Sequence, residues 1–192
     1  GAAGRMYPRS KKLSPDDVIK EADALGYQHV EHTFEPVFDE HSKVLILGSF
    51  PSVKSREEGF YYGHPQNRFW RLLARLTEEE IPETIEEKKT LLLKHQIAIW
   101  DVVHSCDIVG SSDSSIKNVV PCELEKVLSS SPIRQIYANG GKAWQLYHRY
   151  CEKETGREAV KLPSTSPANA IFTLDRLTAV WGEELFGKQN TK

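Results

Sequence analysis

Four short apolar runs, at residues 43–47, 97–100, 134–138 and 159–162, alternate with stretches of helical spacing, and that alternation constrains the fold most. Strands this far apart in the chain return through crossovers rather than hairpins, so neighbours run parallel. The first run, Val44-Leu45-Ile46-Leu47, is continuously apolar, as a strand covered on both faces must be. After it, Phe69, Leu72, Leu73 and Leu76 follow an i, i+3, i+4, i+7 pattern that predicts a helix beginning near Pro65 or Gln66. Residues 84–94 read as a second helix with Ile85, Leu92 and Leu93 inward, and residues 123–128 as a third, preceded by a polar, turn-rich loop at 110–115. Ala143, Trp144, Leu146 and Tyr147 mark another helix after Asn139-Gly140-Gly141. Thr173 can cap the last one, which carries Leu174, Leu177, Val180, Trp181 and Leu185. Ahead of the first strand, Ser14 and Pro15 open a helix with Val18, Ile19, Ala22 and Leu25 that Gly26 stops. The expected fold is α/β: a three-layer α/β/α sandwich around a mostly parallel four-stranded sheet.

The chain has 192 residues, 39% of them hydrophobic, enough for one core, so residues 13–192 are expected to form one domain. Residues 1–12 read as a flexible basic arm or a cloning remnant. No apolar run approaches the roughly 18 residues of a membrane span, and the polar start lacks the apolar core of a signal peptide, so a soluble, cytoplasmic protein is expected. Cys106, Cys122 and Cys151 are far apart and without a CxxC spacing, which argues for reduced thiols and against a disulfide framework or metal cluster.

A net charge of −2 excludes a protein that coats nucleic acid through bulk charge, yet the charges are unevenly spread. Lys54, Arg56, Arg68, Arg71 and Arg75 face only Glu57 and Glu58 within residues 48–76, whereas residues 77–90 carry six glutamates against Lys88 and Lys89. Three segments fall just past the ends of strands, where α/β sheets bind ligands. Gly48-Ser49-Phe50-Pro51-Ser52 is a glycine-started turn that can offer backbone N–H groups. Gly59-Phe60-Tyr61-Tyr62-Gly63-His64-Pro65-Gln66-Asn67-Arg68-Phe69-Trp70 mixes aromatics, an amide and a cation, as a pocket for a flat polar ring requires. Leu162-Pro163-Ser164-Thr165-Ser166-Pro167 supplies hydroxyl donors.

In that order, the three segments resemble the uracil-DNA glycosylase superfamily, most closely its hypoxanthine (deoxyinosine) DNA glycosylase branch, over about residues 43–185. The resemblance implies a monofunctional hydrolase that flips a deaminated base out of DNA and cuts its N-glycosidic bond, with hypoxanthine favoured. It implies damaged DNA as partner, a monomer, no cofactor and no metal, and association with the nucleoid in a bacterium. No lysine is placed for a Schiff base, so strand cleavage is not expected.

Residue by residue, the turn after the first strand has Phe50 where relatives usually carry Asp or Asn. In the hypoxanthine branch the amide expected to take over is Asn67, whose carbonyl can accept from a water and align it; the alternative is that Asn67 opens the following helix. Tyr62 is the expected stacking ring, with Phe50 in the same wall and Gly48 and Ser49 lining the base site. His64 is expected to order the loop. Asp101 stands where uracil-specific members carry an Asn; it can accept N1–H of hypoxanthine, or instead cap the next segment or pair with an arginine. Asn139 is a second amide candidate, or an ordinary helix-entry turn. Ser52, Lys54, Ser55, Arg56, Ser164, Thr165 and Ser166 are the expected phosphate contacts. Leu162 replaces the His or Asn that usually supports the departing base, and no large apolar residue sits at the usual wedge place.

Three rival expectations use the same residues. A uracil or mismatch glycosylase shares the scaffold, and Phe50 with Leu162 would suit a catalytically inactive DNA-binding module. A hydrolase of free inosine shares the bond chemistry but would have no use for phosphate-gripping loops.

Overall fold

The computed structural model describes residues 26–187. The basic arm at 1–12 and the helix expected from Ser14 to Leu25 lie outside the described residues.

The apolar runs form a four-stranded, wholly parallel sheet of β2 (Val44–Gly48), β3 (Ile97–Asp101), β6 (Gln135–Asn139) and β7 (Ala159–Leu162), in the order β3-β2-β6-β7. Every residue of β2 and β3 is buried, as continuous apolar runs in a covered parallel sheet should be. Register sets Gly48 beside Asp101 and Leu47 beside both Trp100 and Ala138, so the ends of β2, β3 and β6 come level. Three segments of candidate chemistry thereby meet at one edge.

The flanking helices follow their caps. Helix α1 (Val53–Glu58) is capped by Ser52, whose side chain accepts from Ser55 N–H, and ends at Gly59 with φ of 72°. Helix α2 (Phe69–Thr77) packs on α7 (Leu174–Leu185), which Thr173 caps. Helix α3 (Ile85–Lys94) opens with a reciprocal capping box between Thr84 and Glu87. After the single turn α4 (Glu125–Leu128), helix α5 (Gly141–Tyr150) packs on β6 and β7, and the short α6 (Glu152–Thr155) follows it. Phe69, Leu72, Leu73, Leu177 and Trp181 have no solvent exposure.

Four expectations change. On either side of the 110–115 loop, residues with no expected element form two strands, β4 (Val103–Ile108) and β5 (Lys117–Pro121), which join β1 (Gln28–Glu31) in a second, antiparallel sheet, β1-β4-β5. Both outer strands are largely exposed and polar, so no apolar run betrays them. Helix α1 was not expected. Helix α2 starts at Phe69 rather than near Pro65, because the Asn67 side chain accepts the Phe69 N–H at 2.9 Å and turns the chain first. Ile85 is exposed, since it sits in the first turn of α3, while Leu91 and Leu92 fill the inward face.

Candidate functional site

A cavity of about 320 Å³ opens at the carboxyl ends of β2, β3 and β6. It is small enough to hold one base with its sugar, near the low end of roughly 300–1,000 Å³ for ligand sites. Its walls include Gly48, Ser49, Phe50, Ser52 and Ser55 from the first loop and Tyr62, His64 and Asn67 from the aromatic loop. Asp101, Asn139, Ser164, Thr165 and Ser166 also line it. Lys54 and Arg56 do not line it.

Asp101, at the end of β3, is almost fully buried. Its Oδ2 lies 2.7 Å from Nε2 of His32, also buried, just past β1. Sequence reasoning missed His32: a lone histidine after a short polar strand carries no periodic signal. The pair fixes the carboxylate with Oδ1 toward Gly48, where a Cβ would stand 2.5 Å from that oxygen and 3.0 Å from Oη of Tyr62. Only glycine leaves that space open. The register thus makes Asp101 a cavity acceptor paired with a histidine, rather than a cap or an arginine partner.

Tyr62 has a left-handed backbone, φ of 53°, and stacks one ring face on Phe69 with centroids 4.0 Å apart. Its hydroxyl is buried near the Asn139 amide, and burial, with Asp101 close by, raises its pKa, so it stays a phenol. Phe50 meets His32 edge-on and lies under the Arg56 guanidinium, 5.8 Å from the ring centroid. His64 accepts the Gln66 N–H at Nδ1 and so orders the aromatic loop.

Asn67 and Asn139 meet through Thr165. The Asn67 Oδ1 accepts from Phe69 N–H and from Thr165 Oγ1, both at 2.9 Å. Two donors occupy both lone pairs of that oxygen, so it has none left with which to align a water as expected. Asn139 accepts Thr165 N–H at Oδ1 and donates from Nδ2 to Thr165 Oγ1, each at 3.0 Å. Asn139 is therefore more than a helix-entry turn.

Four expected phosphate contacts have other partners. Thr165 has no solvent exposure and serves the two amides. Ser55 is buried, and its hydroxyl accepts from Gly63 N–H and Ser52 Oγ. Ser52 spends its hydroxyl proton on Ser55 while capping α1. Arg56 donates to the carbonyls of Gly110 and Ser52, closing the 110–113 loop over the first loop. Ser111 and Asp113 of that loop accept from Val53 N–H and Ser49 Oγ, so the segment read as a plain turn is a cavity wall. Lys54 is exposed and only 3.8 Å from Glu58 in a weak i, i+4 pair. Ser164 and Ser166 each accept a backbone N–H and keep an O–H to donate.

Arg68, counted in the sequence as a site cation, is a clamp. Its guanidinium donates to the carbonyls of Thr165, Ser166, Asn169 and Phe172, pinning the loop after β7 to the start of α2. Arg75 pairs with Asp175 at 2.6 Å, which leaves less free positive charge than the sequence suggested. On the pinned loop Ile171 is 76% exposed, a large apolar tip that sequence reasoning did not single out. Among the described residues no helix is long and apolar enough to cross a membrane, and no group of three or more acidic, histidine or cysteine side chains could hold a metal ion.

The chain is 36% identical over 149 residues to a hypoxanthine DNA glycosylase of Methanosarcina acetivorans, covering 77% of this chain and 93% of that protein. It is 32% identical over 152 residues to a hypoxanthine DNA glycosylase of Methanosarcina barkeri, covering 78% and 94%. The solution NMR structure of a uracil DNA glycosylase candidate from Methanosarcina acetivorans superposes with a TM-score of 0.65 at 34% identity, covering 80% of this chain and 94% of that one. The model of the uracil DNA glycosylase superfamily matches residues 35–183, taking in the whole parallel sheet, β4 and β5 of the second sheet and every loop of the cavity, and the chain belongs to that superfamily.

Proposed function

We propose that this protein is a monofunctional DNA glycosylase that flips hypoxanthine out of damaged DNA and hydrolyses its N-glycosidic bond. The observation that carries the reading is the cavity itself: a base-sized site with aromatic walls, a buried acceptor and converging amides, on a chain whose relatives are named for this activity. The bond from C1′ to the purine breaks with its electron pair going to the base; water supplies a hydroxyl to C1′, and its remaining proton ends on the base. Free hypoxanthine and an abasic sugar result. Asn67 is the group proposed to act at the reacting centre, Tyr62 and Phe50 flank the ring, and Gly48 and Ser49 let the backbone approach it. The protein is proposed to act as a monomer; its three cysteines, free and buried, support a reducing cytoplasm. The test is incubation with duplexes containing one inosine, followed by heating in alkali, which converts each abasic site into a strand break.

Asp101 reads the purine edge in this account. Its free Oδ1 accepts N1–H of hypoxanthine, whereas in Asp101→Asn the amide oxygen takes His32 and turns an N–H toward the base. The variant is expected to shift the ratio of single-turnover rates on inosine and uracil duplexes toward uracil by about 1–3 kcal/mol, roughly 5- to 150-fold. An unchanged ratio in a folded variant removes Asp101 as the reader.

Phosphates fall to Lys54, Ser164 and Ser166. Affinity for DNA is expected to fall with rising salt, and Lys54→Ala is expected to reduce the slope of log K against log salt by about 1, whereas Ser164→Ala leaves the slope unchanged. Binding titrations across salt concentrations check this; equal slopes for Lys54→Ala and wild type take Lys54 off the backbone.

A further inference from the structure

We propose that Thr165 is a positioning residue that, with Asn139, locks Asn67 so that its amide presents N–H groups rather than its carbonyl oxygen to the cavity. The inference rests on the reading of Asn67 given above and adds the polarity of its contribution. Two backbone N–H groups, which can only donate, fix every atom in the chain of hydrogen bonds. Phe69 N–H identifies the Asn67 atom at 2.9 Å as Oδ1. Thr165 N–H likewise identifies Oδ1 of Asn139, which leaves Nδ2 of Asn139 donating to Thr165 Oγ1. The Thr165 hydroxyl, its oxygen engaged by that donor, gives its own proton to Asn67 Oδ1.

Turning the Asn67 amide over would set Nδ2 against the Phe69 N–H and strand the Thr165 proton, so the reversed state is excluded. Its Nδ2 has no partner among the described residues, although Asn67 lines the cavity and is only half buried. A locked amide donor serves an atom that gains electron density, and in this reaction that atom belongs to the departing base, which takes the electron pair of the glycosidic bond. Leu162 offers no polar atom for that task. Asn67 thus supplies a donor at the reacting centre, and Thr165 holds it without touching substrate.

Single-turnover base release from inosine duplex separates the outcomes, with DNA affinity and thermal midpoint measured for each variant. Thr165→Val is expected to be slower by about 10-fold or more with affinity nearly unchanged, while Thr165→Ser, which keeps the hydroxyl, stays within about 3-fold of wild type. Asn67→Asp, an acceptor without N–H, is expected to lose about 10²-fold. A wild-type rate in Thr165→Val, a Thr165→Ser variant as slow as Thr165→Val, or full activity in Asn67→Asp overturns the inference. Should Thr165→Val fail to fold, the other two variants decide. A wild-type protein that releases no base overturns the glycosylase reading, and the inference with it; active wild type with unaffected variants overturns the inference alone.

Discussion

Asn67→Ala is expected to slow base release from inosine duplex by about 10²-fold or more, with DNA affinity within a few-fold of wild type. The side chain contributes no phosphate contact, so affinity has little reason to change. Its amide is the neutral donor that the hydrogen-bond chain through Thr165 and Asn139 delivers to the cavity. Truncation also removes the acceptor that opens α2 at Phe69, at a cost of about 1 kcal/mol, a small loss that leaves the fold intact. Single-turnover rates with enzyme in excess, read beside thermal unfolding, separate the two effects. A rate within a few-fold of wild type would take the chemistry away from Asn67.

Arg68→Ala is expected to act at a distance and to damage both stability and rate. One guanidinium answers four backbone carbonyls between Thr165 and Phe172, three of which also accept a backbone N–H. Hydrogen bonds from a charged donor contribute about 1.5–3 kcal/mol each but do not add, so a loss of roughly 2–4 kcal/mol of stability is expected. The loop so released carries Ser164, Thr165 and Ser166, and with Thr165 displaced the Asn67 amide is no longer locked, so base release should fall by about 10-fold or more. Arg68→Lys should recover little, because an ammonium has three donors on one nitrogen and cannot reach four separate carbonyls as a guanidinium fork does. Chemical denaturation with single-turnover kinetics tests the pair. Normal stability and rate in Arg68→Ala would show that the loop holds itself.

Much of this architecture is legible in the chain because the signal is local. Continuous apolar runs at Val44 and Ile97 report burial on both faces, and Thr84 with Glu87, or Thr173 alone, announce helix starts through chemistry confined to four residues. The second sheet is not legible in that way. Its outer strands β1 and β5 are largely exposed and pair edge to edge through β4, so their identity comes from tertiary pairing rather than from hydrophobic pattern. The same limit governs the site. The loops could be found from their residue types, yet the second donor that fills Asn67 Oδ1 and locks the amide is Thr165, 98 positions away. Likewise His32 meets Asp101 only because β1 brings it there, and the arginines at 56 and 68 read as phosphate ligands or site cations until the carbonyls that hold them are seen.

Release of free hypoxanthine from a duplex carrying one inosine, measured under single turnover and followed by alkaline cleavage, tests the central claim most directly. The account predicts hypoxanthine in solution in step with abasic sites, strand breaks that need alkali, and loss of both products in Asn67→Ala. A folded, DNA-binding wild-type protein that leaves the inosine strand intact after alkali would contradict it.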